Sequence, residues 1–261
     1  MILAVDVGNT ETVLGLFDDL ELVRMWRLSS VRARTADELA LIVDGLLGRV
    51  PADPPGHIIV ASVVPALNRV WAGAGERLEV PFSFLDGAAR LPIRLDVDHP
   101  LEVGADRIAN TLAVSRRFGR DAIVVDLGTA TTCDCVTADG VFFGGTIAPG
   151  PLTALEHLSR VTAQLPQVEI AKPARVIGRN TLECIRSGGF YAVVDGIDGM
   201  VRRIRREWED GEPIVIATGG LAELIGRHCE TVDRIEPALT LTGLALAHAH
   251  MRGGAAETGG R

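Results

Sequence analysis

The sequence predicts an α/β protein built from two similar lobes. Apolar runs rich in Val, Ile, Leu and Ala, which are typical of buried strands, alternate with stretches of helical periodicity. A plan of strand, Asp-x-Gly turn, strand, turn and strand also occurs twice, starting at Ile2 and again at Ala122. Such an internal repeat indicates a duplicated fold. Two unrelated hairpins are the alternative, and the shared Asp-x-Gly turn favours duplication.

The first copy opens with an antiparallel meander and continues into alternating helices and strands. Thr35 followed by Glu38 is a capping-box pattern and predicts the start of a helix, whose apolar residues recur at helical spacing. The predicted strands cover residues 2–7, 12–17, 21–28, 57–64 and 80–85, and further helices are predicted near 65–74 and 104–117.

The second copy repeats the meander and adds a long helical region. A glycine-rich turn is expected at Gly144 and Gly145, and a break or kink in the long helix near Gly188. We expect an N-terminal lobe over 1–118, a C-terminal lobe over 119–250 and a disordered tail over 251–261. The predicted strands cover 122–126, 130–136, 141–144 and 213–217, and the helices about 150–158, 180–208 and 237–250.

Composition narrows the class of protein. The formal charge of −8 argues against a general binder of nucleic acid or anionic membrane, so neither partner is expected. The N-terminus lacks the basic flank and apolar run of a signal peptide, and no stretch has the length of a membrane span. The four cysteines are interpreted as buried thiols in a reducing compartment. We therefore expect a soluble cytoplasmic protein.

The two Asp-x-Gly hairpins suit a phosphate chain. Glycine lets a phosphate approach the backbone closely, and small polar residues supply hydrogen bonds. Asp6 carries the same sign of charge as phosphate, but it can hold a Mg²⁺ ion that bridges phosphates. Residues 8–13 and 128–132 would form two phosphate-facing turns, and Thr218-Gly219-Gly220 is a third candidate contact. Neither a P-loop nor a dinucleotide-binding fingerprint is present, so the pattern predicts an ATP clamp of another kind.

A general base for phosphoryl transfer to an alcohol must come from outside the hairpins. The block Gly104-Ala105-Asp106-Arg107 lies at a predicted loop-to-helix junction, where a carboxylate beside a guanidinium suits a substrate pocket. Alternatively, Asp106 only favours the helix N-terminus and Arg107 is a solvated surface charge. The chemistry of these residues leaves both interpretations open.

Several blocks in order resemble the type III pantothenate kinases, members of the acetate and sugar kinase/actin superfamily. The resemblance extends to about residue 250 and is most specific in the Gly-Ala-Asp-Arg block and the second hairpin. It implies a two-lobed actin-like ATPase fold in which each lobe is a mixed β-sheet flanked by helices, a duplicated ribonuclease H-like motif. The blocks are residues 6–10, 13–16, 102–107, 126–132, 144–150, 162–166, 178–181 and 218–220.

The resemblance also implies an activity, ATP-dependent phosphorylation of pantothenate to 4′-phosphopantothenate, the first step of coenzyme A biosynthesis. Asp106 would accept the proton, Asp126 would bind K⁺ or NH₄⁺, and Asp6 would hold Mg²⁺. A homodimer with pantothenate near the subunit interface is implied as well. The implied ATP contacts are Asp6, Val7, Gly8, Asn9, Thr10, Glu11, Thr12, Val13 and Thr129, and the implied pantothenate contacts are Gly104, Ala105, Asp106, Arg107 and Thr181.

One residue departs from the family pattern, and two other functions remain open. Many members carry a substrate-contacting tyrosine about seven residues before the Gly-Ala-Asp-Arg block, where this chain has Val97. A lost hydroxyl contact would weaken pantothenate binding by about 1 kcal/mol.

The alternatives are a non-catalytic relative that acts in transcription and a kinase for sugars or other small alcohols. Retention of Asp6, Asp106 and Asp126 argues against the non-catalytic relative.

Overall fold

The computed structural model describes residues 1–209 and 211–258 and divides into two compact units. The first unit comprises residues 1–117 together with the chain from 238 onward, and the second comprises residues 118–237. Among the described residues, no helix combines the length and the apolar character needed to cross a membrane.

The first unit is a five-stranded mixed sheet with helices on both faces. Its strands lie in the order β3-β2-β1-β4-β5, with β1, β2 and β3 antiparallel and β1, β4 and β5 parallel. The strands are β1 Ile2–Val7, β2 Glu11–Asp18, β3 Glu21–Ser29, β4 Ile58–Ser62 and β5 Phe82–Phe84, followed by a two-residue β6 at Arg94–Leu95; the helices are α1 Ala36–Leu47, α2 Pro65–Arg77, α3 Ala105–Arg117 and, from the end of the chain, α7 Leu239–Thr258.

Alternation along β1 explains why both faces of this sheet are covered. Leu3 and Val5 are fully buried against α1 and α2, whereas Ile2 and Ala4 are buried on the opposite face against α3 and α7. Because successive strand residues point to opposite faces, an uninterrupted apolar run predicts a strand with helices on both sides.

The second unit repeats this plan. Its strands lie in the order β11-β10-β7-β8-β9, with β7, β8 and β9 antiparallel and β7, β10 and β11 parallel. The core forms where Phe190, Val194 and Ile197 of the long helix pack on the sheet. The elements are β7 Ala122–Leu127, β8 Ala130–Val136, β9 Val141–Pro149, β10 Ile214–Thr218 and β11 Arg234–Ile235, with helices α4 Pro151–Val161, α5 Thr181–Glu207 and a short α6 Ala222–Ile225.

Strand registers confirm the predicted duplication. Asp6 pairs with Val13 across the antiparallel hairpin and with Ala61 on the parallel neighbour. Asp126 pairs with Thr132 and Thr218 in the same two ways. Each aspartate is therefore the penultimate residue of the first strand of its unit.

Three predicted features differ in the structure. No turn forms at Gly144 and Gly145, and β9 continues to Pro149. The pairing of β9 with β8 shifts in register opposite Cys135 and Val136, and Gly144 has a φ of +130°. The glycine segment is therefore accommodated as a β-bulge within the strand. The long helix α5 continues through Gly188 without a break. Cys184 is exposed, whereas Cys133, Cys135 and Cys229 are buried as expected.

The last helix differs from the expected lobe boundary. Helix α7 belongs to the first unit, whereas the sequence pattern predicts the segment 237–250 as part of the C-terminal lobe. Its buried residues Leu241, Leu244 and Ala245 pack with Ile2 and Ala109 of the first unit. The helix extends to Thr258 and so covers most of the expected tail; residues 259–261 lie outside the described residues.

Candidate active site

The first hairpin is a tight turn that requires glycine. The Gly8 N–H donates to the carbonyl oxygen of Glu11 at 3.0 Å, and a Cβ on Gly8 would lie 2.8 Å from that oxygen. The Thr12 and Ser30 hydroxyls are 2.8 Å apart, and the Ser30 N–H donates to the carbonyl of Thr10 at 2.9 Å. These bonds fix the hairpin, while residues 9–11 at its tip stay exposed.

Asp6 lies at the carboxyl end of β1 and is half-buried. It follows Ile2 and Ala4 in the alternation of the strand, so it is on the face of the sheet that α3 and α7 cover. That face also carries the start of α3. The structure thus places two of the predicted site residues, Asp6 and Asp106, on the same side of one sheet.

Asp106 is the second residue of α3. Its Oδ1 accepts a hydrogen bond from the Arg107 N–H at 2.8 Å, and a Cβ on Gly104 would overlap that oxygen, so a side chain at residue 104 would displace the carboxylate. Burial raises the pKa of Asp106, although the Arg107 N–H and the Arg107 charge act in the opposite direction. A raised pKa strengthens a carboxylate as a proton acceptor.

Helix α3 is held in place by α7. Asn110, which is 1% exposed, accepts a hydrogen bond from the Thr240 hydroxyl at 2.9 Å. At Gly243 the backbones of the two helices are in close contact. A Cβ on Gly243 would overlap the carbonyl oxygen of Ala109. The position of Asp106 therefore depends on close packing of α7.

The second hairpin is tied to the start of α4. The Gly128 N–H donates to the Ala130 carbonyl at 3.0 Å. The exposed Thr129 has its carbonyl oxygen bound by the Gly150 N–H at 3.0 Å and by the Thr153 hydroxyl at 2.8 Å. These hydrogen bonds connect the tip of the second hairpin to the first turn of α4.

The third predicted contact, the turn at Thr218 to Gly220, packs directly on the second hairpin. Gly219 has a φ of +91°, and a Cβ there would overlap Oδ1 of Asp126 and lie 2.7 Å from the Leu127 nitrogen. The Leu221 N–H donates to the Leu127 carbonyl at 3.2 Å. The structure thus brings Asp126 and the glycine turn together.

The donor set limits how a metal could bind. Among residues 1–209 and 211–258, no group of three or more His, Cys, Asp or Glu side chains is arranged to hold a metal ion. Asp6 and Asp126 can each supply one hard oxygen ligand, which fits Mg²⁺ or a monovalent cation whose other ligands are water, backbone carbonyls and phosphate.

A large cavity in the second unit was not predicted from the sequence. Its volume is about 1040 Å³, and it lies among β8, β9, α4 and α5. Thr181, the first residue of α5, lines it, next to the N-cap residue Asn180. The signal that could have revealed it is the stripe of small residues Gly188, Ala192 and Gly196 along α5.

Comparison with known proteins decides the family. The family model described as type III pantothenate kinase matches residues 2–203. The chain belongs to this family. The type III pantothenate kinase of Frankia casuarinae is 44% identical over 94% of this chain and 98% of the relative. That of Streptomyces coelicolor is 43% identical over 95% and 97%, and that of Parafrankia sp. is 46% identical over 94% and 96%.

Solved structures share the fold at low identity. The activator of the 2-hydroxyisocaproyl-CoA dehydratase from Clostridium difficile, solved with bound ADPNP, has a TM-score of 0.56 at 12% identity, covering 97% of both chains. A Baf-family protein from Campylobacter jejuni, provisionally described as a transcriptional activator, has a TM-score of 0.60 at 17% identity, covering 96% of this chain and 99% of its own. The pantothenate kinase chain thus has the actin-like fold, with a mixed sheet and flanking helices in each unit.

Proposed function

We propose that this protein transfers the γ-phosphoryl group of ATP to the primary hydroxyl of pantothenate, giving 4′-phosphopantothenate for coenzyme A synthesis. The observation that carries the proposal is the near full-length match to type III pantothenate kinases at 43–46% identity. Asp6, Asp106 and Asp126 are all present and lie at strand ends or a helix start. Their presence supports a catalytic member over a non-catalytic relative.

Asp106 is proposed as the general base. As the hydroxyl oxygen of pantothenate forms a bond to the γ-phosphorus, the bond from that phosphorus to the β,γ-bridging oxygen breaks, and the hydroxyl proton moves to the Asp106 carboxylate. The raised pKa of this carboxyl group, caused by burial, supports the role. The hydrogen bond that the same carboxylate accepts from the Arg107 N–H supports a preorganised base.

The two hairpins are proposed to bind ATP. Asp6 and residues 7–13 would contact the phosphates, with Thr129 from the second hairpin. A Mg²⁺ ion held by Asp6 would neutralise phosphate charge, and Asp126 would hold K⁺ or NH₄⁺. The fixed hydrogen-bonded turns at Gly8 and Gly128 support preformed phosphate contacts.

Pantothenate is proposed to contact Gly104, Ala105, Asp106 and Arg107 at the start of α3, and Thr181 at the start of α5. Val97 in place of the tyrosine that many family members carry would weaken pantothenate binding without removing the reaction. We expect the loss to appear in the KM for pantothenate.

A cytoplasmic homodimer is the proposed assembly. Four apolar side chains of the second unit are at least 60% exposed, and a second copy that covered them would remove this apolar surface from water. They are Ile147, Val161, Val176 and Ile177. Sedimentation of the purified protein should give twice the chain mass, and Ile177→Glu should shift it toward the monomer; a monomeric wild type would contradict the dimer.

The experiment that tests the proposed chemistry is Asp106→Asn. This variant should lose roughly 10²-fold or more in kcat, since an amide cannot accept the proton, yet bind ATP with unchanged Kd. Calorimetric titration with a non-hydrolysable ATP analogue provides the binding control. Turnover near the wild-type rate would remove Asp106 as the base.

A further inference from the structure

A short segment of the first unit lies between two groups of predicted site residues, the first hairpin and the start of α3. Strand β4 ends at Ser62 and helix α2 begins at Pro65, so only two residues connect them. We call residues 62–65 the β4–α2 junction. Ser62 pairs in parallel register with Val7, the last residue of β1 before the first hairpin. The junction therefore begins beside that hairpin.

Val63 of the junction contacts both groups. Its N–H donates to the carbonyl oxygen of Val7 at 3.1 Å, directly before the first hairpin. Its side chain lies beside Gly104, because a Cβ on Gly104 would be 3.6 Å from Cγ1 of Val63, an ordinary van der Waals distance. The Gly104 carbonyl oxygen accepts from the Ile108 N–H at 3.1 Å. A displacement of Val63 would therefore reach the start of the helix that carries Asp106.

The Ser62 hydroxyl fixes the shape of the junction. Its oxygen accepts from the Val64 N–H at 3.2 Å and donates to Oδ1 of Asn68 at 2.6 Å. The same oxygen lies 3.4 Å from the Val64 carbonyl oxygen, but a hydroxyl has one proton, and the shorter contact to Asn68 is the stronger bond. Val64, the N-cap residue of α2, has no capping side chain of its own. Ser62 therefore supplies a side-chain acceptor at the start of this helix.

Asn68 connects the first turns of α2 back to the end of β4. It is the fourth residue of α2, and both Asn68 and Ser62 are half-buried. Partial burial strengthens their hydrogen bond, because water competes less well for a shielded donor and acceptor. A continuous set of contacts thus extends from Asn68 through Ser62 and the junction to Val7 on one side and Gly104 on the other.

We propose that Asn68 and Ser62 are positioning residues that set the spacing between the first hairpin and Asp106. The proposal rests on the proposed function and deepens it. There the hairpin binds the phosphates and Asp106 accepts the proton of the attacking hydroxyl, so phosphoryl transfer requires both groups at a fixed separation. Because Asn68 and Ser62 act through Val63, their loss should change the geometry of the reacting groups more than the binding of either substrate.

Asn68→Leu tests the contact, and Asn68→Asp is the conservative variant. Leucine offers no acceptor to the Ser62 hydroxyl, whereas a carboxylate accepts that proton and suits the N-terminal end of a helix. Asn68→Leu should lower kcat roughly tenfold, with the KM values for ATP and pantothenate within about twofold of wild type. Ser62→Ala removes the same bond from its other side and should match this result. Asn68→Asp should recover most of the loss.

Ser115→Ala is the matched control for the loss of one side-chain hydrogen bond. The Ser115 hydroxyl donates to the Leu112 carbonyl at 3.1 Å within α3, and Ser115 is half-buried, as Asn68 is. This variant should keep the wild-type kcat. Equal losses in Asn68→Leu, Asn68→Asp and Ser115→Ala would indicate general damage and would overturn the positioning role.

Hydrogen exchange reports on the junction independently of activity. Asn68→Leu should speed exchange at the Val63 and Val64 amides by roughly fivefold or more, because the hydrogen bonds of these amides should open more often. Asn68→Asp should restore slow exchange. The amide of Val60, in the fully buried part of β4, serves as the internal reference.

The two measurements separate this inference from the proposed function. If wild type phosphorylates pantothenate and Asn68→Leu keeps the wild-type kcat, the inference is wrong. If wild type phosphorylates no pantothenate, the proposed function itself fails. Unchanged exchange at Val63 in a folded Asn68→Leu variant overturns the inference whatever the activity of wild type.

Discussion

Gly243→Ala tests how α7 positions the proposed base. A methyl at Gly243 would overlap the carbonyl oxygen of Ala109 and lie 2.5 Å from its carbonyl carbon and 2.9 Å from its Cα. Contacting carbon atoms ordinarily lie about 3.5–4.0 Å apart, so α3 and α7 must separate by about 1 Å. All three obstructing atoms are backbone, and no side-chain rotation relieves the overlap.

The separation should reach Asp106, which lies on α3 three residues before Ala109. Overpacking of this kind costs about 1–3 kcal/mol in the free energy of unfolding. A shift of about 1 Å in a catalytic group lowers the rate by roughly 100-fold. We therefore expect a folded variant with a large loss in kcat.

Gly253→Ala is the matched control, because Gly253 lies on the same helix and an added Cβ there meets no atom within 4 Å. It should keep wild-type kcat and gain up to about 1 kcal/mol from helix propensity. Urea unfolding and steady-state kinetics on both variants give the comparison. Wild-type kcat and stability in Gly243→Ala would refute the packing argument.

Three further predictions concern the stability of each unit. The buried Asp198 carboxylate accepts from the Glu230 N–H and from the N–H and hydroxyl of Thr231, so Asp198→Asn should cost about 1–3 kcal/mol in urea unfolding; no change would mean that these bonds contribute nothing. Burial and then nearby positive charge lower the pKa of His248 to about 4. As the pH falls, this imidazole is therefore protonated in the unfolded chain before it is protonated in the folded protein. The free energy of unfolding should fall by about 2–3 kcal/mol as pH drops from about 6.5 to about 4. The loss should be smaller in His248→Gln, where only the neighbouring His57 keeps a lowered pKa, and an identical pH profile would exclude the assignment. Gly219→Ala, at a positive φ and against Asp126, should destabilise the protein and raise the KM for ATP, and a neutral result would show that this turn can move.

Local chemistry made much of the fold predictable. The Thr35–Glu38 capping box, with both reciprocal hydrogen bonds present, starts α1 where the pattern predicts. The strand predicted over 130–136 matches β8, and the repeated Asp-x-Gly pattern corresponds to equivalent strand registers. These features depend on neighbours in sequence, which a sequence displays directly.

Features that depend on distant contacts were missed. Nothing in the apolar pattern of α7 shows which sheet will receive it, and only packing on Ile2 and Ala109 assigns it to the first unit. The extension of β9 past Gly145 depends on pairing with β8, which overrides the turn propensity of glycine. The cavity lies where α4, α5 and two strands meet, and no local sequence motif shows that these elements come together.

The most direct test of the account is a coupled ADP-release assay of the purified wild-type protein with ATP, Mg²⁺ and K⁺, offering pantothenate and a small panel of sugars. We expect turnover with pantothenate and with none of the sugars, and lower turnover when Na⁺ replaces K⁺. A folded, ATP-binding protein that leaves pantothenate unphosphorylated, or that prefers a sugar, would contradict it.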